Sequence, residues 1–229
     1  MDCGWRFAPL QSIFCTFLLI LLVSCIPVQK TATLALLGDL VLGRGVRPTR
    51  DSLAALAPDL QAADLVLANL ESPLAEAGPA ESAAPGYNLC APAERAQFLS
   101  KWGLDLLTLA NNHRDDCGLD GAVETAGILS AEGLASVGAG PQPLYREING
   151  LLVAFMAFND ILAPLDSEAS VHAIQAAREE GTLVVVLIHW GMEYQGGASD
   201  RQKALARQFA EAGAVLVVGA HPHVLQPVE

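Results

Sequence analysis

Positive charge is scarce in this chain: 13 Lys and Arg stand against 25 Asp and Glu, a formal net charge of −12 at pH 7. Nucleic-acid binding draws on Lys and Arg to displace phosphate counterions, so DNA and RNA are poor candidates for partners. Charge-driven adhesion to anionic lipid is disfavoured for the same reason. Cysteine is sparse too, with five in 229 residues, and the thiolate set of a structural zinc site is missing. No internal repeat or long low-complexity tract is visible. The apolar run at residues 13–23 is too short for a convincing membrane span. What is plentiful is apolar side chain, 52% of the chain, ample for the core of one large domain.

The amino terminus is organised as a leader. Arg6 supplies a positive start and residues 13–23 the apolar stretch of a signal peptide. Leu22-Val23-Ser24-Cys25 resembles the bacterial lipobox, in which cleavage leaves the cysteine as the lipid-bearing first residue. The alternatives are a plain signal peptide cut nearby and an uncleaved anchor. The expected organisation is a signal peptide with lipobox over 1–25, a short linker over 26–32 and one domain over 33–229. The protein is then exported and held to the membrane by lipid on Cys25. Cys3 and Cys15 leave with the leader, so Cys90 and Cys117 remain, expected as free, partly buried thiols with pairing as the alternative.

Beyond residue 32, short apolar runs alternate with helical patterns. Strands are expected at 33–37, 65–68, 106–110, 151–158, 183–188 and from 215 onward. Helices are expected around Leu53, Leu56 and Leu60, and over 93–102, 120–132, 168–180 and 200–212. Asp120 is a candidate N-cap, and Gly133, Gly181 and Gly213 are stops. A loop rich in Pro, Ala, Gly and Glu fills 72–86. Continuous apolar strands are buried on both faces, and their alternation with helices implies parallel pairing, hence an α/β fold.

In open parallel sheets, ligands bind beyond the carboxyl ends of the strands. Asp39, Glu71, Asn112, His113, His189, His221 and His223 each follow such an end. His221 and His223 stand two apart, a spacing that points both imidazoles to one side of an extended segment. A polar turn is the alternative for that pair. Mixed imidazole and carboxylate oxygen suits Zn, Mn or Fe rather than Ca. A carboxylate can bridge two cations about 3.5–4 Å apart.

Gly38-Asp39, Asn69-Leu70-Glu71, Ala110-Asn111-Asn112-His113 with Asp116 and Gly118, His189-Trp190-Gly191 with Glu193, and His221-Pro222-His223 appear in the order of the capsule-synthesis protein CapA family. That family takes part in poly-γ-glutamate capsule production and is similar to calcineurin-like metallophosphoesterases. The resemblance covers about 33–229. It implies a sandwich of two sheets flanked by helices, and a divalent metal centre of one or two ions. Carried over residue by residue, Asp39 and His223 would hold a first metal. Asn112, His189 and His221 would hold a second, with Glu71 bridging. His113 would reach the substrate's phosphoryl or leaving oxygen. Asp116 either orients His113 or is a turn residue.

The departures are specific. Val41 stands where phosphoesterases carry a further histidine, and Gly219-Ala220 precedes His221 where many relatives have Gly-His. Cys117 replaces an aromatic residue common at its position. Relatives continue past the position of Glu229, so a carboxyl-terminally incomplete domain is expected. Arg44, Arg47 and Arg50 are either a solvated loop or the contact for an anionic substrate or surface polymer. Glu193 and Tyr194 either line the site or support a turn. Trp190 is a candidate wall of the site, Trp102 a core residue and His172 a surface or packing residue. Two functional readings follow. One is an envelope-anchored, metal-dependent phosphoesterase-type hydrolase working with the membrane machinery of capsule synthesis. The other is a non-catalytic, polymer-handling lipoprotein that keeps the fold.

Overall fold

Two four-stranded sheets lie face to face with helices on their outer sides. The computed structural model describes residues 30–78, 88–178 and 181–229, and Thr31–Glu229 forms one unit. The leader, the lipobox and most of the linker therefore lie outside the described residues, as do residues 79–86 of the loop expected at 72–86. The first sheet has the order β1 (Leu34–Leu40), β2 (Leu65–Leu70), β5 (Leu106–Thr108), β6 (Ala135–Val137), all parallel. The second has the order β10 (Ala214–Ala220), β9 (Leu183–His189), β8 (Leu151–Asn159), β7 (Leu144–Ile148). Its pairings are parallel except for the β7–β8 hairpin. A small parallel pair joins β3 (Leu74–Ala75) to β4 (Ala91–Pro92).

Three apolar layers hold this together, and strand periodicity decides which residue joins which. In β2, Val66, Ala68 and Leu70 pack outward with Leu60 of α1 (Ala57–Ala62), Ala96 and Leu99 of α2 (Ala96–Lys101) and Leu129 of α3 (Gly121–Ala131). Leu65 and Leu67, on the opposite face, meet Leu106 and then Phe155, Val185 and Leu187 of the other sheet. Val184, Val186 and Ile188 pack outward on Ile174 of α4 (Ser167–Ala177) and on Leu205 and Phe209 of α5 (Asp200–Ala212). Both faces of the central strands are buried, which is why they read as unbroken apolar runs rather than alternating ones.

The helix boundaries follow local chemistry. Ser199 and Gln202 form a reciprocal capping box at the start of α5, and Gly213 closes it at φ 114°. Asp166 caps α4 by accepting from Ala169 N at 3.0 Å. Asp120 does occupy the N-cap position of α3, but its side chain makes no capping bond. The hairpin turn at Asn149-Gly150 has positive φ at both residues, 50° and 76°. That pair is the usual sequence signature of a two-residue hairpin loop.

Candidate metal centre

Periodicity and two bulges deliver the polar residues to one place. Because Leu65 and Leu67 face the other sheet, Asn69 does too, at the carboxyl end of β2. His189 follows Val185 and Leu187 on the inner face of β9 in the same way. Regular pairing of β1 with β2 would send Asp39 to the helical side. Instead the register slips between Leu36, opposite Leu67, and Asp39, opposite Asn69. The extra residue beside Gly38 turns Asp39 inward. A second slip between Ala214 and Leu216 brings Ala220 opposite His189, so β10 also delivers its end to the site.

At that point side chains converge closely. His189 Nε2 lies 2.8 Å from Asn112 Oδ1, 3.1 Å from His221 Nδ1 and 3.5 Å from Glu71 Oε1. His223 Nδ1 lies 3.1 Å from Asp39 Oδ2, and its Nε2 lies 3.9 Å from Glu71 Oε1. Asp39 Oδ2 also accepts from His221 N at 2.9 Å. Asn69 is the buried hub. Its Nδ2 donates to Asp39 Oδ1 at 2.8 Å and lies 3.2 Å from His189 Nδ1, while its Oδ1 accepts from Thr108 Oγ1 and Asn111 Nδ2. Asn111 further donates to Leu70 O and accepts from His113 N, which fixes the loop that carries Asn112.

Burial makes these groups resist charge. Glu71 is 2% exposed; desolvation, with Asp39 and Glu193 adding, pushes its carboxyl up to about 8. Burial holds His189 neutral, its value lowered to about 2, with His221, His113 and His223 acting in the same direction. His221 is also lowered, by burial first, with Glu193 opposing. Glu71 Oε1 has no hydrogen-bond partner among the described residues. A buried oxygen left unpaired normally costs about 1–3 kcal/mol, and this one faces the ring of His189, which burial keeps neutral. Lone pairs gathered without enough protons to share among them fit a cation. Among the described residues, three groups can hold one: Glu71–His189–His221, Asp39–Glu71–His223 and Glu193–His221–His223, the ligand atoms of each lying within 4.8 Å of one another.

A sequence profile described as "Bacterial capsule synthesis protein PGA_cap" matches residues 33–229. The chain belongs to this family. A relative of this PGA_cap chain, "PGA biosynthesis protein CapA" of Bacillus subtilis (strain 168), is 32% identical over 84% of this chain and 57% of its own length. "Capsule biosynthesis protein CapA" of Bacillus anthracis is 30% identical over 86% of this chain and 56% of its own. The chain thus spans little more than half the length of these curated relatives. A crystal structure of a hypothetical protein from Thermus thermophilus shares the fold, with TM-score 0.54 and 20% identity. That match covers 83% of this chain and 68% of the other.

The PGA_cap motifs fall where the sequence places them, with three corrections. His221 and His223 do not sit in an extended segment: β10 ends at Ala220, and the two adopt φ 98° and 55°. It is this left-handed bend around Pro222, rather than strand alternation, that brings both rings to the site. Non-glycine residues there carry about 1–3 kcal/mol of strain each. Cys90 and Cys117 are not free thiols but a disulfide. Arg50, expected as part of a solvated loop or as an anionic-substrate contact, lies apart from the candidate metal ligands. It lines a cleft of about 520 Å³ with Asp64, Trp102 and Asp105, at the amino ends of β2 and β5. Arg44 and Arg47 are exposed in the loop after β1. Trp190 is no wall of the site: it packs in the outer core against Gly219, where a Cβ would come within 2.2 Å of its Nε1.

Asp116 holds His113, its Oδ2 lying 2.9 Å from His113 Nδ1 and also accepting from Leu89 N. Asn69 and Asn111 have no role in the sequence reading although both lie in the quoted motifs. Their signal is an amide on an apolar strand's inner face, where only a partnered polar group is tolerated.

Proposed function

We propose that this chain is an envelope protein of capsule or poly-γ-glutamate surface-polymer biosynthesis that acts as a metal-dependent, phosphoesterase-type hydrolase. The observation that carries the reading is the unpartnered, buried Glu71 Oε1 facing the imidazoles of His189 and His223. The names of the two Bacillus relatives support the pathway. Asp39, Glu71, Asn112, His189, His221 and His223 would hold one or two divalent ions, Mn, Zn or Fe. Such ions supply Lewis-acid polarisation of a phosphoryl oxygen and a more acidic water.

The chain's own residues do the rest. Asp116 accepts from His113 Nδ1, which leaves the other ring nitrogen to give or take a proton at the substrate oxygen. Arg44 and Arg47 offer guanidinium forks to an anionic substrate or polymer on its way in. Asn69 keeps Asp39 and His189 in place from behind. The lipobox at Cys25 supports export and a lipid anchor facing the capsule-synthesis membrane machinery. The Cys90–Cys117 disulfide supports an oxidising compartment.

Two experiments test this. Purified protein reconstituted with Mn, Zn or Fe should hydrolyse a chromogenic phosphoester, and His113→Ala should abolish turnover while metal content stays. Wild type should incorporate radioactive fatty acid and Cys25→Ala should not. Val41, in place of a phosphoesterase histidine, favours a second reading: a non-catalytic lipoprotein that handles the polymer. Metal-replete protein without turnover, with a full-length relative active alongside, would select it.

A further inference from the structure

The sequence leaves Glu193 between site and turn, and the inference about it rests on the metal centre proposed above. Gly191, at φ 88°, turns the chain back directly after His189-Trp190, and a Cβ there would strike the side chain of Gln202 at 2.8–3.0 Å. Tyr194, at φ 60°, then donates its backbone N–H to Pro222 O at 2.8 Å. That bond clips the 191–194 turn onto the bend that carries His221 and His223. Glu193 is consequently held beside both imidazoles, one carboxylate oxygen and one ring nitrogen of each lying within 4.8 Å of one another.

We infer that Glu193 is a metal ligand, an exposed carboxylate completing from outside the coordination of an ion held by His221 or His223. The three candidate groups overlap: each pair of them shares Glu71, His221 or His223. A neutral imidazole offers one ring lone pair, so a histidine serves one ion at a time. The outer group therefore does not describe a third ion beside two inner ones. It describes a further ligand for an ion already held inside, where three protein ligands leave coordination positions open. Its charge reaches both inner partners, adding to the upward push on Glu71 and opposing the effect of burial at His221.

Exposure gives this ligand a distinct job. Glu71 is buried and fixed, whereas Glu193 is on the surface at the end of a flexible stem. With a metal bound, it would be the ligand free to give up its place to an anionic substrate oxygen. The substrate class this implies carries phosphate or carboxylate oxygens, which would take the place of the Glu193 carboxylate.

The test compares wild type with Glu193→Gln, which keeps the shape and removes the charge at an exposed position. Far-UV circular dichroism should match for the two metal-free proteins. Co2+ is the probe, read by its visible ligand-field absorption and by competition with a chelator. Glu193→Gln should bind one equivalent of Co2+ at least tenfold more weakly, the scale on which even outer-shell partners act, and with a changed absorption spectrum. Equal affinity and an identical spectrum would overturn the assignment. So would weaker binding with an unchanged spectrum, which would make Glu193 a neighbouring charge and not a ligand. Wild type that takes up no Co2+, Mn2+ or Zn2+ would overturn the metal centre itself. That outcome differs from failure of the Glu193 assignment alone, in which wild type binds and the variant matches it.

Discussion

Removing the Cys90–Cys117 bond should cost this fold several kcal/mol and loosen one corner of the site. The two residues are 27 apart in sequence, and closing a loop of that length removes chain entropy worth about 3.5 kcal/mol at 25 °C. For a domain of this size that corresponds to a fall in Tm of about 7–14 °C. The closed loop contains α2, β5, Asn112, His113 and Asp116. Asp116, next to Cys117, holds His113 while accepting from Leu89 N next to Cys90. Breaking the bond should therefore disturb His113 more than Asp39, Glu71, His189, His221 and His223, which lie outside the loop. The perturbation is the double variant Cys90→Ser, Cys117→Ser, followed by urea and thermal unfolding monitored by circular dichroism. Turnover should fall by a larger factor than metal content. A stability change under about 1 kcal/mol would refute the reasoning, as would peptide mapping that finds Cys90 and Cys117 in separately alkylated peptides.

Further predictions follow from burial and placement. Glu71, raised to about 8 from 4.5, favours the metal-free fold as a neutral acid. That contribution is full below about pH 4.5 and is lost as pH rises through 8. Glu71→Gln should flatten this loss in urea titrations of metal-free protein across pH 4.5–8. Metal uptake by wild type near pH 7 should release the Glu71 proton, and calorimetry in buffers of different ionisation enthalpy should detect it. His189, lowered to about 2 from 6.5, acts in the opposite sense. Its contribution is full above pH 6.5 and is lost as pH falls toward 2, so metal-free wild type should weaken on acidification through this window and His189→Gln should weaken less. Among the arginines, Arg44→Gln with Arg47→Gln should weaken binding of an anionic ligand such as inorganic phosphate. Arg50→Gln should not, because Arg50 lines the cleft at the opposite strand ends; an equal effect would contradict that placement.

Much of the architecture is legible because its determinants are local. Unbroken apolar runs such as 183–188 can be read directly as strands buried on both faces. Ser199, Gln202 and Gly213 mark both ends of α5. The convergence of the candidate ligands is legible because polar residues placed after buried strands have one natural place to go. What is hidden depends on register and geometry. The bulge beside Gly38, which turns Asp39 inward, leaves no trace in composition. The positive φ of His221 and His223 lies at residues that carry a Cβ, so the i, i+2 argument reaches the right place by the wrong backbone. Pairing of Cys90 with Cys117 needs a Cα separation of 5.0 Å that no spacing rule gives. The short strands β6 and β7 pass unnoticed, although Asn149-Gly150 is a hairpin signal open to a sequence reader.

The central claim is that the residues converging at the strands' carboxyl ends form a metal centre. Elemental analysis of metal per chain tests it most directly, after reconstitution and controlled dialysis, on wild type, Glu71→Gln, His189→Ala, His221→Ala and His223→Ala. The account predicts one or two divalent ions in wild type and none firmly held in Glu71→Gln. It also predicts a separate partial loss in each histidine variant, with His223→Ala sparing the ion held by His189 and His221. Wild type that remains metal-free, or four variants that retain as much metal as wild type, would contradict it.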